Sequence, residues 1–218
     1  MSVKVPKGWY DISVPLKQGM STYPGDPPFK VYRISDVNLG GKVTMSFMEA
    51  TTHTGTHIDA PLHFIPGASS ISDMPLDATV GKARVIEIKD KQKIRVPELE
   101  KHNIKKGERL LFKTRNSPIT YESPTFVEDY VYFDTPAAEY LANKGIILVG
   151  LDNITVGHYK EPGNLTKIHR IFLEAGIYIL EDCALGGVPA GDYELLCLPL
   201  LMYNGDAGPC RAILRPLK

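Results

Sequence analysis

Apolar and β-branched residues form short runs over residues 8–65, and turns rich in proline and glycine separate these runs. Two such turns are YPGDPP at 23–28 and LGG at 39–41. Short apolar runs bounded by turn residues are typical of strands joined by loops. The pattern therefore predicts that the first part of the chain is rich in β-structure.

From residue 82 onward, strand-like apolar runs alternate with amphipathic segments that are typical of helices. In the segment 135–145, Thr135 is a candidate N-cap, Pro136 lies in the first turn and Gly145 ends the helix. The whole pattern predicts an α/β domain with a mixed central sheet flanked by helices. Strands are predicted at 82–90, 108–114, 146–152, 177–182, 193–202 and 210–216, and helices at 96–103, 135–145 and 166–176.

Composition narrows the class of function. The chain has 218 residues, 43% of them hydrophobic and 23% charged, which suits one globular domain over residues 1–218. Its 25 basic residues balance 25 acidic ones, so the charge argues against a nucleic-acid partner or a membrane surface. A small neutral substrate or another protein fits this balance better.

The cysteines and the N-terminus indicate a compartment. Cys183, Cys197 and Cys210 are odd in number and share no CxxC spacing, which argues against a disulfide framework and a thiolate zinc site. No N-terminal run is typical of a signal peptide, and the longest apolar stretch, LLCLPLLMY, is too short to span a bilayer. We therefore expect a soluble protein of the reducing cytoplasm.

The segment HTGTHIDAPLH at 53–63 gathers three histidines and an aspartate in eleven positions. Its glycine, threonines and proline disfavour a helix. In a straight strand, at about 3.3 Å per residue, the backbones of His53 and His57 would lie about 13 Å apart, too far for two ligands with bonds of about 2 Å. Joint coordination needs a bend, which Gly55 allows. Asp59 follows two residues after His57 and can point to the same side.

Imidazoles and a carboxylate at this spacing predict a metal site. Zinc, manganese and iron all accept such ligands, and a hydrophobic core gives no reason to cluster them. His53, His57 and Asp59 are therefore candidate ligands. His102 and His158 stand alone in the sequence, and we interpret them as ordinary surface or core residues.

His63 follows the candidate ligands closely enough to serve their chemistry. An ion held by three protein groups keeps open positions, and water bound there has its pKa lowered from about 16 to about 7. An imidazole with an ordinary pKa near 6.5 can move protons to and from such a water. This arrangement predicts a hydrolase with His63 as its general acid/base.

Two further candidate ligands lie in the segment 168–182. His169 is placed near the start of the predicted helix, and Glu181 near the end of the strand that returns after it. About 9 Å of helix and about 13 Å of strand can bring both side chains to the same end of this unit. A capping histidine and a solvated carboxylate are the alternative, although strand ends in α/β sheets commonly carry functional groups.

The segment HTGTHIDAPLH resembles the HxGTHxDxPxH signature of the cyclase-like metal-dependent hydrolases, a family that includes bacterial kynurenine formamidases and isatin hydrolases. The resemblance extends in the same order through YPGDPPF at 23–29, LVGLD at 148–152, HRIFLEAGIYILE at 169–181 and LPLLMYNGDAGPCRAILRP at 198–216. It implies a swivelling β/β/α domain, which agrees with a β-rich first part and an α/β second part.

This resemblance also implies a reaction and its residues. His53, His57 and Asp59 would bind one divalent ion, and Asp59 would bridge to a second. His169 and Glu181 would complete the second site. Two zinc ions, or alternatively manganese, would activate water, with His63 as acid/base. The implied activity is that of an arylformamidase of tryptophan catabolism, converting N-formylkynurenine to kynurenine and formate, in a homo-oligomer such as a dimer or tetramer.

The chain departs from the kynurenine formamidases at one place. After GLD it continues NITVGH, with Gly157 where an acidic residue is expected. The substrate therefore remains open between an aryl formamide and isatin or another cyclic amide or lactone. Tyr23 is a candidate substrate contact, the alternative being a turn tyrosine that covers apolar surface. Arg211 is interpreted as structural.

Two other classes of function also fit these residues. His57 and Asp59 with a distant histidine imitate the facial triad of mononuclear iron oxygenases, although those enzymes commonly use an all-β jelly roll that the helical second half does not suit. A metal-binding protein without catalysis is the other class. Replacing His63 distinguishes an enzyme from such a protein.

Overall fold

The computed structural model describes residues 6–217. Its strands are β1 (Tyr10–Asp11), β2 (Lys30–Ser35), β3 (Met45–Glu49), β4 (His57–Asp59), β5 (Val80–Glu87), β6 (Lys93–Ile94), β7 (Arg109–Lys113), β8 (Tyr132–Phe133), β9 (Leu148–Leu151), β10 (Tyr178–Glu181), β11 (Gly191–Pro199) and β12 (Ala207–Pro216). Its α-helices are α1 (Val96–Leu99), α2 (Ile119–Glu122), α3 (Thr135–Lys144) and α4 (Pro162–Glu174). Short 3₁₀ turns lie at Val37–Leu39, Pro61–His63, Ile71–Asp73, Leu76–Ala78 and Glu100–His102.

Eight strands form one mixed sheet that closes on itself. Strands β5, β7, β9 and β10 run parallel at its centre, and β11 and β12 continue it antiparallel beyond β5. Strand β4 pairs antiparallel with both β10 and β12 and so joins the two ends, while β1 pairs with β12. This closed sheet with helices beside it confirms the predicted α/β class and agrees with the swivelling β/β/α fold.

Alternate residues of the central strands face two separate apolar cores. In β7, Leu110 and Phe112 pack in the core that includes residues of α3 and α4, whereas Leu111 packs in the other core, inside the closed sheet. Gly150 in β9 meets the same interior, where an added Cβ would lie 2.3 Å from Leu111 Cδ2. Side chains therefore fill the interior, and the candidate site lies outside it.

The start of α3 differs from its prediction. Asp134 is the N-cap, and its Oδ1 accepts a hydrogen bond from Ala137 N at 2.9 Å. The prediction that Thr135 caps the helix is wrong, because the aspartate directly before it already supplies the side-chain acceptor. Gly145 ends the helix with a φ of +68°, as predicted.

The start of a helix and the end of a strand also differ from their predicted positions. Helix α4 begins at Pro162, whose fixed φ suits a first helical turn, and so His169 lies past the middle of the helix and not near its start. Strand β11 ends at Pro199, so residues 200–202 lie outside it. None of the helices within residues 6–217 has the length and apolar composition needed to cross a membrane.

Candidate metal centre

Strand β4 carries two of the candidate ligands on one face. Its register pairs Asp59 with Ile179 of β10 and with Ala207 of β12. Ile58 packs in the interior core, so His57 and Asp59 on either side of it point to the opposite face. Both are fully buried. The strand thus holds an imidazole and a carboxylate side by side where the sheet closes.

The bend predicted at Gly55 is confirmed. Gly55 has a φ of +66°, and an added Cβ would lie 2.6 Å from Leu16 Cδ2, so conformation and packing both favour glycine. The bend turns His53 back over β4, which leaves 4.9 Å between the ring centroids of His53 and His57.

Hydrogen bonds to the backbone orient two buried histidines. His57 Nδ1 lies 2.7 Å from the Gly55 carbonyl oxygen, and His169 Nδ1 lies 2.8 Å from the Leu165 carbonyl oxygen in α4. Because a carbonyl oxygen only accepts, each Nδ1 donates its hydrogen. In the neutral ring, each Nε2 then presents a lone pair to the centre.

A carboxylate from far along the chain orients the third histidine. Asp206 lies just before β12, and its Oδ2 accepts a hydrogen bond from His53 Nε2 at 2.9 Å. Thr52 Oγ1 donates to the other oxygen of Asp206 at 3.0 Å. When the ring of His53 is neutral, this bond directs the lone pair of Nδ1 toward Asp59 Oδ1, 3.0 Å away.

This donor set fits a metal ion. Each of His53, His57 and Asp59 offers one ligand atom, and these three atoms lie within 4.8 Å of one another. His57 Nε2 lies 3.3 Å from Asp59 Oδ1. Ligands about 2.0–2.1 Å from a tetrahedral ion lie about 3.3 Å apart. His57 Nε2 and both Asp59 carboxylate oxygens are buried and have no hydrogen-bond partner among residues 6–217, which costs free energy unless a cation joins them.

A second donor group adjoins the first. His169 Nε2 lies 3.3 Å from Glu181 Oε1 and 3.8 Å from Asp59 Oδ2. Glu181 Oε1 accepts a hydrogen bond from Val156 N at 2.8 Å, and Glu181 Oε2 lies 3.4 Å from His57 Nε2. Asp59 Oδ1 thus faces the first donor group, and Asp59 Oδ2 faces the second. The structure brings the predicted ligands of both groups into one buried cluster.

Protons on the imidazoles balance the buried carboxylates. Burial lowers the pKa of His57, but the Asp59 and Glu181 carboxylates outweigh burial and hold that pKa well above its ordinary value. For His53, burial is likewise outweighed by Asp59 and Asp206, which raise the pKa to about 9. Burial raises the pKa of Asp59, but His53 and His57 hold it well below its ordinary value. A bound divalent cation would neutralise the carboxylates in place of these protons, and the imidazoles would then release them.

His63 ends a 3₁₀ turn at the edge of the cluster. Its ring centroid lies 4.0 Å from that of His53, and its side chain is 27% exposed. Burial lowers the pKa of His63 to about 4; nearby Asp59 opposes this shift, and His53 and His169 add to it. The imidazole is therefore neutral near pH 7. A ring nitrogen of His63 also lies within 4.8 Å of ligand atoms of Asp59 and His169, so its position suits a proton carrier or a ligand.

A cavity of about 230 Å³ opens beside the cluster. Its lining includes Tyr23, Asp26, His63 and Phe64 together with ligand candidates. The Tyr23 ring packs edge-on against Phe126 with 6.0 Å between centroids. The structure thus places the candidate substrate-binding tyrosine at the wall of this cavity.

Three residues set aside by the sequence interpretation lie away from this cavity. The His158 ring packs 4.6 Å from Tyr132, and neither His158 nor His102 lines the cavity. Arg211 Nε donates to Asp11 Oδ1 at 3.0 Å, a contact between β12 and β1 that fits the structural role expected of Arg211.

Asp206 is a site residue that the sequence interpretation missed. It belongs to the resembling segment 198–216, and an acidic residue there was the available signal. Its partner His53 lies 153 positions away, however, and no local spacing indicates that pairing.

Replacing Asp206 with alanine is expected to lower the affinity for a divalent cation, with zinc as the probe, by about 10- to 100-fold, the usual effect of removing a carboxylate that orients a ligating histidine. Competition with a chromogenic chelator measures this affinity. Asp26→Ala is a matched control, because Asp26 is another carboxylate that lines the same cavity, whereas the carboxylate bonded to His53 is that of Asp206. Equal zinc affinity in the Asp206→Ala variant and the parent would show that His53 does not need this partner.

Gly157 has a packing role at the position where an acidic residue was expected. An added Cβ would lie 2.5 Å from Leu165 Cα in α4. Gly157→Ala is therefore expected to lower the free energy of unfolding by about 1–3 kcal/mol, as overpacking does. Urea denaturation measures the change. Gly163→Ala is the control, because Gly163 has open space at its added Cβ, with no atom within 4 Å in the described part of the chain. A similar loss in both variants would contradict the packing role of Gly157.

Comparisons with known proteins agree with this geometry. A family profile described as putative cyclase matches residues 10–158. Kynurenine formamidase of Bacillus cytotoxicus is 39% identical over 216 residues, covering 96% of this chain and 98% of that protein. A solved structure described as a predicted metal-dependent hydrolase from Bacillus stearothermophilus is 32% identical with a TM-score of 0.81, over 94% of this chain and 97% of that chain. Isatin hydrolase A from Ralstonia solanacearum, at 23% identity, shares the fold with a TM-score of 0.79 over 94% and 90% of the two chains. These matches confirm the resemblance identified in the sequence: the chain is a hydrolase of the putative cyclase family.

Proposed function

We propose that this chain is a metal-dependent arylformamidase that hydrolyses N-formylkynurenine to kynurenine and formate. The observation that carries the proposal is the buried cluster of imidazole and carboxylate donors at the wall of the 230 Å³ cavity, with His63 beside it. Similarity to a kynurenine formamidase over 96% of the chain supports the choice of substrate.

The metal sites follow from the two donor groups. His53, His57 and Asp59 are assigned to one divalent ion. His169 and Glu181, together with Asp59, would hold a second ion. Zinc is the proposed metal and manganese the alternative, because both accept imidazole and carboxylate ligands. When bound, such ions supply an activated water and polarise the formyl carbonyl.

His63 carries the proton in this proposal. Its neutral imidazole accepts a proton as water attacks the formyl carbon, and it returns that proton to the aryl amine nitrogen as the C–N bond breaks. Its partly exposed position at the cavity wall supports this role, since the group must reach both the water and the leaving nitrogen.

The cavity wall suits an aromatic substrate that carries an amino acid group. Tyr23 and Phe64 offer rings against which an aryl group can pack. Asp26 adds a carboxylate that suits the ammonium group of N-formylkynurenine. Isatin has no ammonium group, so Asp26 favours the aryl formamide.

Hydrolysis of isatin or another cyclic amide or lactone is the second candidate, because isatin hydrolase A shares the fold. The iron oxygenase alternative rested on a facial triad, commonly held in an all-β jelly roll. The closed mixed sheet with four parallel strands does not support it.

We infer a single domain across residues 1–218 that works in the cytoplasm on a small molecule as a homo-oligomer, a dimer or a tetramer. The balance of 25 basic and 25 acidic residues supports the absence of nucleic-acid and membrane partners.

The test is hydrolysis of N-formylkynurenine by the purified protein, stripped of metal and then reloaded with zinc or manganese, followed by absorbance. We expect turnover by the loaded protein and none by the stripped protein. Isatin is assayed in parallel. Turnover of isatin alone would replace the proposed substrate with the second candidate, and absence of metal-dependent turnover of both compounds would overturn the proposal.

A further inference from the structure

Cys197 and Cys210 bring their sulfur atoms together across two neighbouring strands. The two Sγ atoms lie 3.4 Å apart, although 13 positions separate the residues in the sequence. Cys197 of β11 lies opposite Ala212 of β12, and Cys210 lies two residues before Ala212, so both cysteines point to the same face of the sheet. Both are free thiols. The fold therefore creates a thiol pair that no CxxC spacing indicates.

The two thiols differ in their access to solvent. Cys197 is fully buried, whereas Cys210 is half-buried and lines a surface groove of about 410 Å³ together with Leu16 and Leu198. A small solute in this groove can therefore reach Cys210, while Cys197 presents no surface to it. The hydrogen bond with Cys210 and burial raise the pKa of the Cys197 thiol well above its ordinary value, so Cys197 stays protonated near pH 7.

Backbone contacts hold Cys210 beside Cys197. Cys210 N donates to the Thr56 carbonyl oxygen at 2.9 Å, and Cys210 Sγ lies 3.5 Å from the same oxygen. The third cysteine has a different partner, since Cys183 Sγ donates to the Leu180 carbonyl oxygen at 3.5 Å. A disulfide joins its sulfur atoms at about 2.0 Å, so the two sulfurs of the pair need to approach by about 1.4 Å to bond.

We propose that Cys197 and Cys210 form a reversible disulfide when the protein meets a hydroperoxide, and that Cys210 is the thiol that reacts first. This proposal does not depend on the proposed function. An accessible thiol beside a second thiol is the arrangement typical of peroxide-sensitive cysteines. The proposal also agrees with the absence of a disulfide framework inferred from the sequence, because disulfides of reducing compartments are usually transient.

The oxidation has two steps. In the first, the Cys210 sulfur attacks an oxygen of the hydroperoxide: an S–O bond forms, the O–O bond breaks, and the thiol proton leaves with the released water or alcohol. In the second, the Cys197 sulfur attacks the sulfenic acid at Cys210: the S–S bond forms, the S–O bond breaks, and hydroxide leaves with the Cys197 proton as water. The two thiols lose two electrons, and the hydroperoxide gains them. A dithiol reductant reverses the modification by thiol–disulfide exchange.

Peptide mapping of the zinc-loaded protein tests the proposal. The protein is treated with hydrogen peroxide, its remaining thiols are blocked with N-ethylmaleimide in denaturant, and the chain is cleaved before its aspartates. This cleavage places each cysteine in its own peptide, 182–191, 192–205 or 206–218. We expect peptides 192–205 and 206–218 to be joined, with Cys183 as the one blocked thiol. After reduction with dithiothreitol, all three thiols are expected to be blocked.

Three variants distinguish the pair from general oxidative damage. Cys183→Ala is the matched control, because it removes the cysteine outside the pair, and it is expected to form the same crosslink. In Cys197→Ala, the sulfenic acid of Cys210 has no partner thiol, and we expect dimedone to trap it. In Cys210→Ser, Cys197 is expected to react at least about 10-fold more slowly than Cys210 does in Cys197→Ala, since buried thiols are inert.

Three free thiols in the peroxide-treated parent would overturn the proposal, and so would oxidation of Cys210 to a sulfinic acid without a crosslink. A crosslink between two chains would also overturn it, and non-reducing electrophoresis would show it as a species of twice the 24.1 kDa chain mass. Equal reactivity of Cys197 and Cys210 in the single variants would contradict the order of the two steps.

Discussion

Replacing Asp59 with asparagine is expected to abolish both metal binding and hydrolysis. Asp59 is fully buried, and its two oxygens face the histidines of the two donor groups, so each group loses its shared carboxylate. The new amide is neutral and directs an N–H group into a cluster of lone pairs. We expect metal affinity to fall by more than about 100-fold, because removing a group that only orients a ligand already lowers the affinity by about 10- to 100-fold.

Metal content and melting temperature measure the effect of Asp59→Asn separately from activity. A ligand at 100 times its Kd stabilises a fold by about 2.7 kcal/mol, so zinc is expected to raise the melting temperature of the parent but not that of the variant. Asp192→Asn in β11 is the control, because Asp192 is exposed and lies outside the cluster. Bound metal and turnover retained by Asp59→Asn would remove Asp59 from the metal site.

Local spacing predicts those parts of the site that depend on neighbouring residues. Joint coordination by His53 and His57 requires a bend at Gly55, and the φ of +66° there provides it. The order of His57 and Asp59 around Ile58 likewise follows from strand alternation alone. These features lie within one segment, so the chain's covalent geometry limits them strongly.

Long-range partners are not limited in that way. Asp206 reaches His53 because β12 pairs with β4, and this pairing depends on closure of the whole sheet. The position of β2 and β3 outside the sheet is equally unpredictable from alternation, because an exposed strand and a buried strand can share the same apolar pattern. At the start of α3, Asp134 and Thr135 are both good caps, and only the backbone conformation selects Asp134.

The closing strand β4 links fold and site. Because β4 pairs with β10 on one side and β12 on the other, Glu181 of β10 reaches His57, and Asp206, just before β12, reaches His53. Helix α4 then adds His169 from the outer layer. Sheet closure therefore brings donors that lie far apart in the sequence into one cluster.

Replacing His63 with alanine is expected to lower turnover of N-formylkynurenine by about 10²- to 10⁴-fold, the usual contribution of a general acid/base. Metal content is expected to stay at the level of the parent protein, because His53, His57, Asp59, His169 and Glu181 all remain. The steady-state rate at saturating substrate and the bound metal are therefore measured on the same preparation. His158→Ala is the matched control, since His158 is another partly buried histidine that does not line the cavity.

The two readouts decide what His63 does, because one of its ring nitrogens also lies close enough to the cluster to bind an ion. Loss of turnover with full metal content assigns proton transfer to His63. Loss of metal together with turnover would make His63 a ligand, and another group would then have to protonate the leaving amine. Turnover close to that of His158→Ala would exclude both roles, since neither a ligand nor an acid/base at this cavity can be removed without a large fall in rate.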